Sequence, residues 1–448
     1  MPPEHEVAGR ATREERVKAW ELRRWPRGPK LDVAAGARQA VLAAVQQRRE
    51  RVGAPRRVYL PQLEGCEKLD WTVVAPLPTD RPLRVVELFA GVGAATQAVA
   101  RLGYSIGEVI ACERRGAARQ VHKHAAAQLC REFPARVAPK SSAQLHHRLP
   151  QDIQLVTEAH LHDLGPVDLV VAGWPCQGSS AAGTGQGLDD GRSGLFTELM
   201  RVLKCMQRLH KGWGRSFGYV VEHLAAGFDK RPKVREHYDA ARGLLGPELV
   251  VDAAQLGSRA HRLRAWWTNL EGPALLRTTL AQQARPPGLF VHQVLGRGRQ
   301  ARAPQTSGVA PWAKVEKPGD PRRALNTFVS YPGSYAFSRG GGGVLRCTDA
   351  AGDVTFGEPT AEERELAMGF PRGFKAAPGI SEHTRRELLG QAMDLNTLMW
   401  LLAACREGGA LRLQTSRSRL GGEVGARQSV RVGGASVTAL AFRAPRGD

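Results

Sequence analysis

A single cysteine stands in the run Gly173-Trp174-Pro175-Cys176-Gln177-Gly178, directly after the apolar stretch Val167–Ala172. A thiol at the end of a buried strand lies where open α/β sheets bind ligands, and a thiolate there can attack an electron-poor carbon. The residue also reads as a small buried hydrophobe in a turn. The proline before it, and the glycine-rich loop 183–194 that can fold over a substrate, favour chemistry. A second pattern is Val85-Val86-Glu87-Leu88-Phe89-Ala90-Gly91-Val92-Gly93, a buried strand opening into a glycine turn. Such a turn lets backbone approach a ligand, although Gly91 and Gly93 alone would suit any tight turn. The next apolar run ends in Cys112-Glu113, where a carboxylate is placed to accept hydrogen bonds from ribose hydroxyls. Together the two runs point to a nucleoside-containing cofactor.

These groups need a frame. Strands are expected at Leu83–Phe89, Glu108–Glu113, Val167–Ala172, Tyr219–Leu224, Leu249–Asp252 and Leu263–Thr268. Helical patterns lie between them at Gly116–Phe133 and Leu195–His210, the second with its apolar residues on one face. The alternation predicts an α/β fold with a doubly wound, mostly parallel sheet. Residues 1–80 form a basic arm with helices expected over 13–24 and 33–50. The core runs from 81 to 270, and 271–357 is a basic, Pro/Gly-rich region containing Gly340–Gly343. Residues 358–406 return to the core, with a helical pattern from Thr360 and a last helix over Leu389–Cys405. The tail 407–448 is Gly/Arg-rich and expected to be flexible.

Composition narrows the class. The 448 residues carry 64 Lys+Arg against 43 Asp+Glu, a net charge of +21, which favours a polyanionic partner such as nucleic acid. Seven scattered cysteines without a CxxC pair argue against a disulfide scaffold or a structural zinc site and fit a reducing compartment. No metal site is expected. No apolar run approaches a membrane span and no secretory core opens the chain, so no membrane partner is expected.

The motifs and their order resemble the DNA (cytosine-5)-methyltransferases. Leu88–Gly93 is similar to the family's cofactor motif and Pro175-Cys176-Gln177 to its catalytic loop. Val221-Glu222-His223-Leu224 stands where the family has Glu-Asn-Val, and Ala260-His261-Arg262-Leu263-Arg264 takes the place of its paired arginines. Met368-Gly369-Phe370-Pro371 and Leu389-Gly390-Gln391-Ala392 match the two closing motifs. Within the family, Asp152–Cys176 runs without a gap against the animal de novo pattern "DVRNIT…GPFDLVIGGSPC". The ending Gln391-Ala392-Met393-Asp394-Leu395-Asn396 resembles that of methyltransferase domains carried by plant and algal retroelements.

The resemblance implies a Rossmann-like methyltransferase sheet with a small irregular target-recognition region in 271–357. It further implies S-adenosyl-L-methionine as cofactor and double-stranded DNA as partner. Cys176 would be the nucleophile at cytosine carbon 6, Glu222 the group at ring nitrogen 3, and Arg262 and Arg264 the grip on the base carbonyl and a phosphate. Phe89 would face adenine, with Gly91 and Gly93 in the turn beneath it. Glu113 would hold the ribose, Asp152 and Ile153 the adenine edge, and Gln391 and Ala392 the methionine end. The loop 177–194 would fill the space left by a flipped base, while the basic segment, Arg322 and Arg323 included, would meet phosphates. His223, in place of the family's Asn, is expected to titrate near 6.5 and, when protonated, to compete with Arg264 for Glu222. A catalytically silent DNA-binding relative and a tRNA cytosine-5 methyltransferase are the alternative functions. The expected location is the nucleus if the source is eukaryotic and otherwise intracellular, with a homo-oligomer left open.

Overall fold

The structure, a computed structural model, describes residues 60–138, 145, 147–180, 183–283, 289–301, 324–330, 345–374, 376–406, 429–432 and 435–438. The helices expected over 13–24 and 33–50, the Gly340–Gly343 run, and Arg322 and Arg323 lie outside the described residues.

Six runs rich in Val, Leu and Ile form one sheet: β1 (Leu83–Leu88), β2 (Ile106–Cys112), β3 (Leu169–Gly173), β4 (Gly218–Leu224), β5 (Leu249–Asp252) and β6 (Leu263–Thr268). Their order is β2-β1-β3-β4-β6-β5. Near-continuous apolar strands are what a sheet covered on both faces requires. Successive residues of β1 feed opposite cores. Leu83 and Val85 join Val99, Val121, Leu129 and Leu401 on one face. Val86 and Leu88 join Val170, Leu199, Leu203 and Trp267 on the other. The covering helices include α1 (Ala94–Arg101), α2 (Gly116–Glu132), α3 (Glu158–Leu164), α4 (Phe196–Gly212) and α5 (Pro232–Leu245).

β1, β2, β3 and β4 run parallel, while β6 is antiparallel to both β4 and β5. The sequence expectation of a mostly parallel sheet holds, with β6 the reversed strand. Two consequences follow for the site. The chain leaves β1 toward β2 and returns on the other side to β3, so a topological switch point opens between β1 and β3 at their carboxyl ends. The reversal of β6 also brings its first residues, not its last, to that same edge, where Arg264 pairs in register with Leu224.

Beyond the sheet, α6 (Pro273–Gln282) leads into a small antiparallel sheet of β7 (Arg299–Ala301), β8 (Leu345–Thr348) and β9 (Val354–Gly357). The region expected to be irregular therefore contains regular pairing. Thr360 caps α7 (Ala361–Ala367) through a capping box with Glu363, at the position where the helical pattern resumes.

The single last helix expected over Leu389–Cys405 is two helices, α8 (Glu382–Gln391) and α9 (Leu395–Arg406). Ala392 is extended, with φ −70° and ψ 149°. Asp394 then accepts from Thr397 N at 2.9 Å and Ser258 Oγ at 2.7 Å. A buried carboxylate that caps the second helix overrides the continuous apolar pattern. Contrary to expectation, Glu382–Arg406 is, among the described residues, long and apolar enough by composition to cross a membrane. It is broken at Ala392–Asp394, and Leu395, Leu398, Leu401 and Leu402 all sit in the core. In the Gly/Arg-rich tail, Ser429–Val432 and Ala435–Thr438 pair as a hairpin.

Candidate active site

The turn after β1 is held in a conformation that side chains resist. Phe89 has φ 52°, a positive value outside glycine, and Gly91 and Gly93 have φ 53° and 82°. A non-glycine residue there stores about 1–3 kcal/mol and persists only where its surroundings fix it. Here Ala90 N donates to Cys112 O at 3.1 Å, and Gly91 N donates to Glu113 Oε2 at 2.9 Å. The other Glu113 oxygen accepts from Arg115 N at 2.7 Å. Glu113 is thus locked beside the turn, with lone pairs remaining for hydroxyl donors.

Phe89, Gly91, Gln391 and Ala392 line one cavity, and Glu87, Gly173 and Glu222 are also in its lining. Its volume is about 40 Å³. Gly93 does not line the cavity; it caps α1 and lies against His122, where an added Cβ would meet the ring at 2.2 Å. Asp152 pairs with Arg114 at 3.6 Å and caps the turn that follows by accepting from Gln154 N. Ile153 is buried in the apolar core, and its carbonyl accepts from Arg201. A positive-φ turn, a fixed carboxylate and a shared cavity at the switch point fit a nucleoside cofactor with a charged amino-acid end.

Cys176 sits just past β3, half-buried. Gly173 is in register with Glu222 of β4, which brings the thiol loop and the carboxylate to one edge. Arg264 Nε lies 2.8 Å from Glu222 Oε1, both side chains 9% exposed. The contact is charge against charge rather than an aligned hydrogen bond, since that oxygen has no hydrogen-bond donor. Arg262 donates through both terminal nitrogens to Gly390 O at 3.2 Å, which ties the start of β6 to the Gln391 turn. Burial lowers the Arg262 pKa to about 10, so it stays charged at neutral pH. Burial also pushes the Cys176 thiol up, partly offset by Arg264 and Arg262 and reinforced by Glu222. The four residues expected to act together are therefore electrostatic neighbours.

The loop after Cys176 is tied down along its described length. Gly178 N donates to Ser193 Oγ at 2.9 Å, and that hydroxyl donates to Pro175 O at 3.1 Å. Asp190 accepts from Thr184 Oγ1 and from the Arg192 backbone and guanidinium. Arg231 reaches the carbonyls of Ser179 and Ser180.

His223 departs from expectation. Successive strand residues face opposite ways, so it points away from Glu222 and cannot compete with Arg264. Its ring stacks on Trp174, centroids 3.9 Å apart and planes 3° from parallel. Phe196 and Trp267 flank Trp174 at 4.9 and 5.9 Å. Burial first, and then Arg264, lower the His223 pKa to about 3. The imidazole is neutral throughout the physiological range, so a charge change near 6.5 is not expected in the folded protein. Two neighbours escaped sequence reasoning. Trp174 was legible as the residue directly before Pro175-Cys176, and Glu87 as a lone carboxylate inside an apolar strand.

The family model for C-5 cytosine-specific DNA methylases matches residues 83–207. The type II methyltransferase M.HgiCI of Herpetosiphon aurantiacus is 25% identical over 193 residues, 42% of this chain and 39% of that one. The type II methyltransferase M.NlaIV of Neisseria lactamica is 30% identical over 113 residues, 25% of each chain. The chain therefore spans well under half the length of these relatives. The crystal structure of the S. pombe Dnmt2 methyltransferase aligns over 71% of this chain and 97% of its own at 18% identity and a TM-score of 0.47. The matched segment, residues 83–207, holds β1, the glycine turn, Glu113 and the Cys176 loop, and over it this chain is similar to the C-5 cytosine-specific DNA methylases.

Proposed function

We propose that the chain transfers a methyl group to carbon 5 of cytosine in double-stranded DNA through a covalent adduct on Cys176. The observation that carries this reading is the meeting of Cys176, Glu222, Arg262 and Arg264 at one sheet edge, beside a cavity shared with the glycine turn. S-adenosylmethionine, when bound, supplies the methyl group; Phe89, Gly91, Glu113, Asp152, Gln391 and Ala392 would hold it.

Carbon 5 of cytosine is too weakly nucleophilic to take a methyl group directly. Cys176 Sγ gives up its proton to solvent and bonds to carbon 6 as the 5,6 double-bond pair shifts into the ring, dividing one hard step into two easier ones. Glu222 holds a proton at ring nitrogen 3, which accommodates the electron pair that the thiolate pushes into the ring. Arg264 keeps the Glu222 carboxylate in place, and Arg262 faces the same base. After methylation carbon 5 loses its own proton to solvent, that bonding pair re-forms the 5,6 double bond, and the bond from Cys176 to carbon 6 breaks to restore the thiolate. The base must leave the helix to reach Cys176, and the net charge of +21 suits a phosphate backbone.

The test is a duplex carrying 5-fluorocytosine, in which fluorine replaces the carbon 5 proton and cannot leave as a cation. With S-adenosylmethionine the chain should form a denaturant-resistant adduct, and Cys176→Ala should form none. An adduct that survives the substitution means a different nucleophile. Labelled methyl appearing in tRNA but not in duplex DNA would transfer the same chemistry to RNA, and label in neither would make the chain a silent relative.

A further inference from the structure

One buried carboxylate at the cofactor end is not used by this mechanism. Glu87 lies in β1 between Val86 and Leu88, 3% exposed, and lines the cavity with Gly91 and Gln391. Thr96 N at 2.9 Å, the Thr96 hydroxyl and the Ala95 N–H donate to it, so it receives the first turn of α1. The Nε2 atom of His122 is 3.6 Å away, and that ring packs under Gly93. Two carboxylates therefore line this cavity, and they differ. Glu222 is matched by the Arg264 guanidinium. Glu87 is held by neutral donors and an imidazole. A capping role alone would be met by a neutral acceptor, whereas a buried carboxylate costs several kcal/mol more in desolvation.

We propose that Glu87 is a cofactor-discriminating residue, its carboxylate supplying the negative charge that favours the sulfonium form of the cofactor over the neutral thioether product. This rests on the reading of the cavity as the methionine end of the cofactor site. S-adenosylmethionine and S-adenosylhomocysteine share nucleoside, ammonium and carboxylate and differ at the sulfur, which carries a positive charge only before transfer. A negative charge in this cavity, carried by Glu87 when ionised, therefore acts on the difference between them. Burial pushes the Glu87 carboxyl up to about 7, and a cation entering the cavity would draw it toward the ionised form.

Calorimetry on the full chain reads this without turnover or nucleic acid. The quantity is the ratio of the two affinities, S-adenosylmethionine over S-adenosylhomocysteine. Glu87→Gln keeps the shape and an acceptor while removing the charge, and should lower the ratio about tenfold, the worth of a charge pair about 10 Å apart at an effective dielectric constant near 20. Thr96→Val removes the hydroxyl from the cap and leaves the charge; it should lower the melting temperature with the ratio unchanged. Equal weakening of both ligands by Glu87→Gln would mean that Glu87 only caps α1, and would overturn the proposal.

If Glu87→Gln does not fold, the unmutated chain carries the test. Its ratio should fall as pH drops from 8 to 6 and the carboxyl takes up a proton, in a His122→Gln background as well. His122 from α2, Glu222 from β4 and Glu113 through Gly91 are the other titratable groups facing this end. A ratio flat across that range overturns the inference but leaves the proposed reaction standing. Failure to bind either ligand would instead remove the cofactor site itself.

Discussion

The two halves of the site are built by opposite means. At the cofactor end the backbone carries the design: Phe89, Gly91 and Gly93 all have positive φ, and Glu113 fixes the turn through main-chain N–H groups. At the catalytic end the backbone is an ordinary strand, and the design lies in buried side chains. Glu222 meets Arg264, Arg262 reaches Gly390 O, and His223 stacks on Trp174. The difference teaches where each end should fail. Adding atoms should break the first, and removing atoms should break the second.

The largest effect is expected from deletion at the catalytic end. Trp174 is 3% exposed, stacked on His223 and flanked by Phe196 and Trp267. Trp174→Ala should cost about 3–5 kcal/mol of stability, the usual cost of removing a large aromatic from a core. Denaturant unfolding measures it. A loss below about 1 kcal/mol would mean that the wall collapses around the gap, and the catalytic end would not depend on side-chain filling.

At the cofactor end the smallest possible addition is the informative one. Gly93→Ala forces a side chain into left-handed backbone, costing about 1–2 kcal/mol, and its Cβ would meet His122 Cδ2 at 2.2 Å. Stability should therefore fall by more than the backbone cost alone. Combining it with His122→Ala should remove the excess, giving a coupling energy of about 0.5–3 kcal/mol in a double-mutant cycle. Strict additivity would show that the ring moves aside freely, and the turn would be less rigid than its dihedrals imply.

The same contrast explains what the sequence made legible. The places of the glycine turn, Glu113 and Cys176 just past strand ends could be read because that constraint is local: a residue type at a fixed distance from a strand end. β5 and β6 were read at their observed bounds, Leu249–Asp252 and Leu263–Thr268, because short apolar runs between polar turns leave little choice. The reversal of β6 was not legible, since direction depends on how the chain returns, not on the pattern of the strand. The break at Ala392–Asp394 was hidden because Asp394 finds its partner Ser258 in a distant part of the chain. His223 was misread for a related reason. Residue type gives an ordinary histidine pKa, and only burial and the nearby Arg264 in the folded chain lower it to about 3.

That misreading leads to the finest test of the comparison, in which the two ends should give stability slopes of opposite sign with pH. His223 is held near 3 in the fold against about 6.5 when unfolded. Between those values the unfolded chain binds a proton that the folded chain does not. Its contribution is complete above about 6.5 and is lost as pH falls. Glu87 behaves in reverse. Raised to about 7 from 4.5, it keeps its proton in the fold while the unfolded chain has released it. Its contribution is complete below about 4.5 and is lost as pH rises toward 7. Asp394, raised to about 6, adds to the Glu87 slope up to that pH. From pH 5 to 6.5 the catalytic and cofactor ends therefore oppose each other, each group by at most about 1.4 kcal/mol per pH unit. Denaturant midpoints across that range should show His223→Asn tilting the curve toward acid and Glu87→Gln tilting it toward neutral. Carboxylates elsewhere are common to all three proteins and cancel in the differences. Equal slopes in His223→Asn and the unmutated chain would mean that the ring takes up its proton in the fold, and the Trp174 stack would then not seal the catalytic end.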